Sequence, residues 1–241
     1  SENLSANREV KTINLPILPR EINSANKKSK AIEAENLEPN PAADERLLAA
    51  LPPDFRVRFQ NAVQTQKIEL PAFIAELRED SNLRGAPNDE KKQILSPNAQ
   101  AVRDLRPTFR WRKFAAAGES YVITIYDKDF NQVVVSPVLQ ATKWQSNVSL
   151  ERGKIYKWQI KTAGSAETFA ARFRILDAKA AAGLREIEIA APRSPLVRGI
   201  GYAAEGLLTE AAQEFQKEIN KNPRGKLAQK LKDSLIKNLQ R

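Results

Sequence analysis

The spacing of apolar positions changes twice along the 241-residue chain. Between residues 42 and 96 it is helical. Asp44 stands as an N-cap ahead of Leu47, Leu48 and Leu51. Pro53 suits a first helical turn, and Phe55, Phe59 and Val63 follow four apart as one stripe. Phe73, Ile74 and Leu77 make a further stripe after Pro71. From 98 to 176 the period drops to two. Phe109 and Trp111 alternate with Arg110 and Arg112, and Tyr121, Ile123 and Ile125 with Val122, Thr124 and Tyr126. Tyr156, Trp158 and Ile160 alternate with Lys157, Gln159 and Lys161, and Phe169, Ala171, Phe173 and Ile175 with Ala170, Arg172 and Arg174. Val133 to Val135 is a short apolar run ended by Pro137, and between Leu139 and Trp144 the inward set stays open. With turns at Asp127-Lys128-Asp129 and Ala163-Gly164-Ser165, the pattern predicts an antiparallel β-sandwich of six or seven strands, about 80 residues in all.

After 177 the helical period returns. Ala178 to Ala190 is alanine-rich, with Leu184 and Ile187. Then comes Gly199-x2-Tyr202-x3-Gly206-x4-Ala211-x3-Phe215-x7-Pro223. Small residues let two helices approach, Gly206 turns the chain between them, and Tyr202 and Phe215 fill the groove. Pro223 reads as the start of a last helix with a stripe at Leu227, Leu231, Leu235 and Leu239. The chain therefore reads as an α+β multidomain protein. Residues 1–41 form a flexible arm rich in Asn, Ser, Glu, Lys and Pro. Its one patch with strand character is Val10 to Leu18, broken by Pro16. A small helical element spans 42–96, the sandwich 97–176 and a helical domain 177–241.

Two motifs carry a likeness to known families. Leu150-Glu151-Arg152-Gly153-Lys154-Ile155-Tyr156 resembles the tyrosine corner of an immunoglobulin-like sandwich, in which the ring is buried and the hydroxyl returns to the backbone upstream. With Arg106-Pro107-Thr108-Phe109-Arg110-Trp111 it makes the middle region similar to a fibronectin type III domain. The Gly199 to Pro223 pattern resembles a single tetratricopeptide repeat (TPR). It departs from that repeat at Pro195 and Arg198, where a tryptophan and a leucine are usual, and at Glu218, where an alanine is usual. The combination is similar to the extracytoplasmic part of bacterial envelope proteins, some of which carry an anti-sigma-like, membrane-anchored front end. The resemblance implies a non-catalytic protein-interaction or scaffolding module in the periplasm or cell envelope, with a protein as its partner.

Composition narrows the chemistry. The chain has no histidine and no cysteine. That excludes Ser-His-Asp and Cys-His nucleophilic sites, CxxC redox chemistry and the usual zinc sites. No cofactor, metal or small-molecule substrate is expected, and no spacing singles out a catalytic pair among the acids. Absence of cysteine suits an oxidising compartment. No apolar run reaches the roughly 20 residues of a membrane helix. The chain begins at Ser1 and has no methionine, so a signal or anchor segment upstream is expected, and membrane contact only through it.

Net charge is +10. The excess lies in two stretches: 13 basic against 6 acidic residues in 97–176, and 10 against 5 in 192–241. If the last two strands pair, Lys157, Lys161, Arg172 and Arg174 share one outward face. Such a face is either a solvated surface or a site for an anionic polymer. Tyr126 and Trp144 are the aromatics whose burial the alternation does not settle, and they complete the set of candidate binding residues. The alternative reading is a nucleic-acid-binding protein that uses the basic surfaces. A carboxylate enzyme such as a glycoside hydrolase stands third, because it needs two acids facing one cleft.

Overall fold

The computed structural model describes residues 41–79, 94–114, 120–162 and 168–240, without the side chains of 41–44, 79, 239 and 240. The arm up to residue 40, with its patch at Val10 to Leu18, and the turn at Ala163-Gly164-Ser165 lie outside the described residues. Three helices come first, α1 (Pro41–Ala50), α2 (Pro53–Thr65) and α3 (Phe73–Glu79). Eight strands follow: β1 (Ile94–Ser96), β2 (Gln100–Val102), β3 (Thr108–Trp111), β4 (Tyr121–Tyr126), β5 (Gln132–Val135), β6 (Lys143–Gln145), β7 (Ile155–Thr162) and β8 (Thr168–Ile175). The chain closes with α4 (Ala178–Ala190), α5 (Pro195–Ala204), α6 (Leu208–Lys221) and α7 (Lys226–Gln240).

The fold is α+β, with two open sheets and no closed barrel. One sheet has the order β1-β3-β6, the other β2-β8-β7-β4-β5. They share one core. Phe109 on β3 meets Trp158 on β7 at 5.0 Å between ring centroids and Phe173 on β8 at 5.6 Å, while Trp111 meets Tyr121 at 5.5 Å. Trp111, Tyr121, Ile123, Ile125, Tyr156, Trp158, Ile160 and Phe173 are all buried, which is the inward set of the period-two pattern. The indole Nε1–H of Trp158 donates to the carbonyl of Pro97 at 2.7 Å, so its one polar atom is satisfied in the interior. At the start of β7 the backbone N–H of Glu151 donates to the Tyr156 hydroxyl at 3.0 Å, and Gly153 takes the left-handed conformation (φ 75°) that the turn needs.

The expectation of a purely antiparallel pairing does not hold. β2 runs parallel to β8, with Gln100 opposite Phe173 and Val102 opposite Ile175. The chain leaves the small sheet after β1 and joins the large one within four residues, without reversing, so β2 must run alongside β8 in the same direction. The first strand also begins at Ile94, ahead of residue 97.

A second core lies among the helices. It joins Leu51, Phe55, Phe59, Ile74 and Leu77 of the N-terminal helices to Leu184, Val197, Ile200, Ala211, Phe215, Leu231 and Leu235 of the C-terminal ones. The described residues cluster as one compact unit. Helix starts follow local chemistry. Asp177 Oδ1 accepts from the Ala180 N–H at 2.8 Å, and Ser194 Oγ from the Val197 N–H at 3.4 Å, with Pro195 at the first turn of α5. In the α5–α6 hairpin, a Cβ on Gly199 would stand 2.7 Å from the buried Phe215 ring, so only glycine fits there. Two expected starts move. α1 begins at Pro41, ahead of Asp44, and α7 begins at Lys226, because Asn222 to Gly225 closes a turn of its own around Pro223.

Two stability outcomes follow. Trp158→Ala removes a fully buried indole and leaves the Pro97 carbonyl unpaired, so chemical denaturation should show a loss of about 3–5 kcal/mol. Gly206→Ala forces a side chain into a left-handed position (φ 76°) where its Cβ would lie 2.7 Å from the Phe73 ring. The same measurement should show a loss of about 1–3 kcal/mol.

Candidate interaction surface

Successive residues of a strand point to opposite faces, so the buried set on β7 and β8 fixes what faces outward. β7 and β8 pair with Lys157 opposite Arg172, Lys161 opposite Thr168 and Ile155 opposite Arg174. Lys157, Lys161, Arg172 and Arg174 therefore share one outer face of the large sheet. On the other side of β7, Lys157 lies opposite Tyr126 and Lys161 opposite Val122. A row Tyr126–Lys157–Arg172 thus crosses three strands. Trp144 stands apart from these five. It sits on the small sheet opposite Phe109, its ring stacked at 5.6 Å on the Phe109 ring and half-buried against the shared core.

Arg174 is engaged at home. Its guanidinium lies over the Phe73 ring of α3 at 4.8 Å and reaches Asp177 at 3.4 Å. Lys157 is different, because its ammonium lies 5.3 Å from the ring of Phe130, which is 60% exposed. Phe130 adopts φ 63°, a conformation that a bulky residue rarely takes. The β4–β5 turn imposes it. Asp127 accepts from the backbone N–H of Asp129 and of Asn131 and from the Asn131 side chain at 2.8–2.9 Å. The Asn131 side-chain bond leads in holding the Asp127 carboxyl below its usual range. Next along the chain, Val133 (40% exposed) and Val135 (45%) lie on β5, Val135 opposite the outward Thr124, and Val138 is exposed beyond them.

Phe130, Val133 and Val135 were not among the residues expected to bind. The valines were legible as a strand but not as half-exposed, because an unbroken apolar run carries no period. Phe130 sits in a turn, and its exposure comes from the Asp127 hydrogen bonds.

Two other polar features have structural roles. Tyr202 donates its hydroxyl to Glu188 Oε1 at 2.7 Å, and Arg103 pairs with the same oxygen at 2.7 Å while lying over the Tyr202 ring. Burial, then the Glu188 carboxylate, pushes the Tyr202 hydroxyl up to about 12. Burial alone would raise Glu188, but the hydrogen bonds from Arg103 and Tyr202 outweigh it and hold the carboxyl low. In the hairpin the buried Glu214 accepts from Arg198 at 2.6 and 3.0 Å and from Lys217 at 2.6 Å. A cleft of about 380 Å³ between α2, residues 67–72 and α5 is lined by one carboxylate, Glu69, which accepts from Asn61 at 2.9 Å. Its Arg58 donates to the Ala204 carbonyl at 3.3 Å and lies 3.7 Å from Glu205.

Among the described residues no group of three or more acidic side chains could hold a metal ion, and no helix is long and apolar enough to cross a membrane. No protein-family model matches the chain, and no curated protein matches it.

The raised Tyr202 makes stability sensitive to alkali. The fold favours the neutral phenol. The support is therefore whole below pH 10, the ordinary tyrosine value, and is lost as pH rises towards about 12. Denaturant midpoints taken across that interval should fall for the native chain and fall less for Tyr202→Phe, which has no phenol to ionise.

Proposed function

We propose that this chain is a non-catalytic protein-interaction or scaffolding module of the bacterial cell envelope, belonging to a secreted or membrane-anchored protein. The observation that carries this reading is the outer face of the large sheet. There an exposed Phe130 and the valines of β5 adjoin Lys157 and Lys161. Aliphatic and aromatic groups side by side with cations are what a protein partner needs, since it supplies both apolar contacts and charge. The two facing sheets are proposed as an immunoglobulin or fibronectin III-like sandwich. The bond from Glu151 N–H to the Tyr156 hydroxyl and the left-handed Gly153 support this. The α5–α6 pair is proposed as a TPR-like hairpin, supported by the fit of Gly199 to Phe215 and the turn at Gly206. An extracytoplasmic location is supported by the lack of cysteine.

A nucleic-acid-binding function is the second reading, favoured by the row of cations with Tyr126 and Phe130 beside it. The valines weigh against it, because phosphate and sugar offer them little. One experiment separates the two readings. A photo-crosslinking residue in place of Val135, introduced in the native host, should give a discrete protein adduct. The same residue in place of Ile189, an 80% exposed position on α4, should not. A nucleic-acid adduct, with retention on DNA or RNA that weakens steeply with salt, would hand first place to the second reading. No adduct at Val135 would sink the interaction face.

A further inference from the structure

We infer that the open half of the large sheet's outer face is a docking surface for an acidic amphipathic helix of the partner protein, laid beside α3. The inference rests on the interaction reading above. The other half of the same face is already covered by helices. Ala101 on β2 and Ile155 on β7 point outward, yet they belong to the helical core. α3 closes that half, with its Phe73 ring under Arg174. Among the described residues the covering layer stops there. On the strands beyond it, Tyr126, Val133, Val135, Lys157 and Lys161 continue the surface that α3 uses, in the same chemistry: a cation beside an aromatic ring, flanked by aliphatic groups.

Charge decides what kind of helix fits. The outward positions of β4, β7 and β8 hold Val122, Thr124, Tyr126, Ile155, Lys157, Gln159, Lys161, Thr168, Ala170, Arg172 and Arg174, with no acid among them. Among the described residues, the acids beside Phe130 are Asp127 and Asp129 in the β4–β5 turn, with Asp127 bound to Asn131, while Asp177 is paired with Arg174 and Glu151 with Lys154. Carboxylates on a partner would therefore meet cations and little repulsion.

Edge geometry decides against an added strand. β5 is the free edge, but its ladder with β4 breaks between Ile125 and Tyr126, where Val133 has no partner in register. Pro137 ends the run two residues after Val135. A bulge and a proline both blunt an edge against strand pairing. A helix needs no ladder and can lay an apolar stripe at i, i+3, i+4 and i+7 over Val133, Val135, Tyr126 and Phe130.

The test uses the full chain and three fluorescent peptides of about 18 residues. The first carries a Leu/Phe helical stripe flanked by glutamates, the second the same stripe flanked by lysines, and the third the composition of the first with the stripe scrambled. The first should bind at least about tenfold more tightly than either of the others. Lys157→Glu with Lys161→Glu should abolish that preference, and the milder Lys157→Gln with Lys161→Gln should reduce it, with the melting temperature unchanged in both. Ile189→Ser should leave it intact. Equal binding of the three peptides, no binding of the first, or indifference to both lysine pairs would overturn the inference. If position 135 still crosslinks to a protein in that case, the interaction reading survives alone. If it does not, both fall.

Discussion

A three-residue strand joins everything else. β2 is bonded along both of its edges. On one side the Ala99 N–H donates to the Arg172 carbonyl and the Leu176 N–H to the Val102 carbonyl, each at 2.9 Å, which locks β2 to β8. On the other side the Ala101 N–H donates to the carbonyl of Gly206 at 2.8 Å, in the turn of the α5–α6 hairpin. The Gln100 side chain adds to this. Its carbonyl accepts from the backbone N–H and hydroxyl of Thr209, capping α6, which has no cap of its own at Leu207. Successive side chains of β2 also divide between the two cores, Ala101 with the helices and Val102 with the sheets. Gly206 is thus needed twice, for its left-handed turn and for the carbonyl that this turn presents to β2.

The joint has a consequence for the outer face. By holding the hairpin against the β2 edge, it places the helical layer over the β2–β8 part of the large sheet's outer face, and among the described residues that layer goes no further. A cation at the boundary and one beyond it then meet different fates. Arg174 lies under the layer and is used by Phe73 and Asp177, whereas Lys157, on the next strand, lies beside the projecting Phe130. The +10 charge is therefore less informative than its placement. In the hairpin Arg198 and Lys217 are tied to Glu214, and Arg103, just after β2, is tied to Glu188 on α4.

What could be read from residues alone follows a physical divide. Strands long enough to alternate disclosed their inward residues, so Trp111, Tyr156, Trp158 and Phe173 were legible as one core, and Lys157, Lys161, Arg172 and Arg174 as one face. The return of the Tyr156 hydroxyl to the backbone upstream was legible because its chemistry is local, spanning five residues from Glu151. β1 and β2 were not, since three residues cannot express a period and their place is set by β3, β8 and Gly206. Gln100 as a cap for a helix 109 positions later leaves no local trace at all. Trp144 was ambiguous for a related reason. Its strand pairs only with β3, and only its contact with the Phe109 ring decides which way it points.

Phe130 shows how a functional candidate can arise from a polar device. Its ring is held out by the turn, not by apolar packing, and the turn depends on one carboxylate. The three hydrogen bonds that Asp127 accepts stabilise its ionised form, so they hold at neutral pH and weaken as acid titrates the group through its depressed value. The geometry of the exposed aromatic is thereby coupled to the ionisation of a neighbouring residue in its own turn. Loss of the Asp127 charge would release Phe130 from its left-handed conformation while leaving Lys157, two strands of ladder and the core beneath unaltered. The aromatic and the cationic parts of the face are thus separately supported, Phe130 by a turn and the lysines by the sheet.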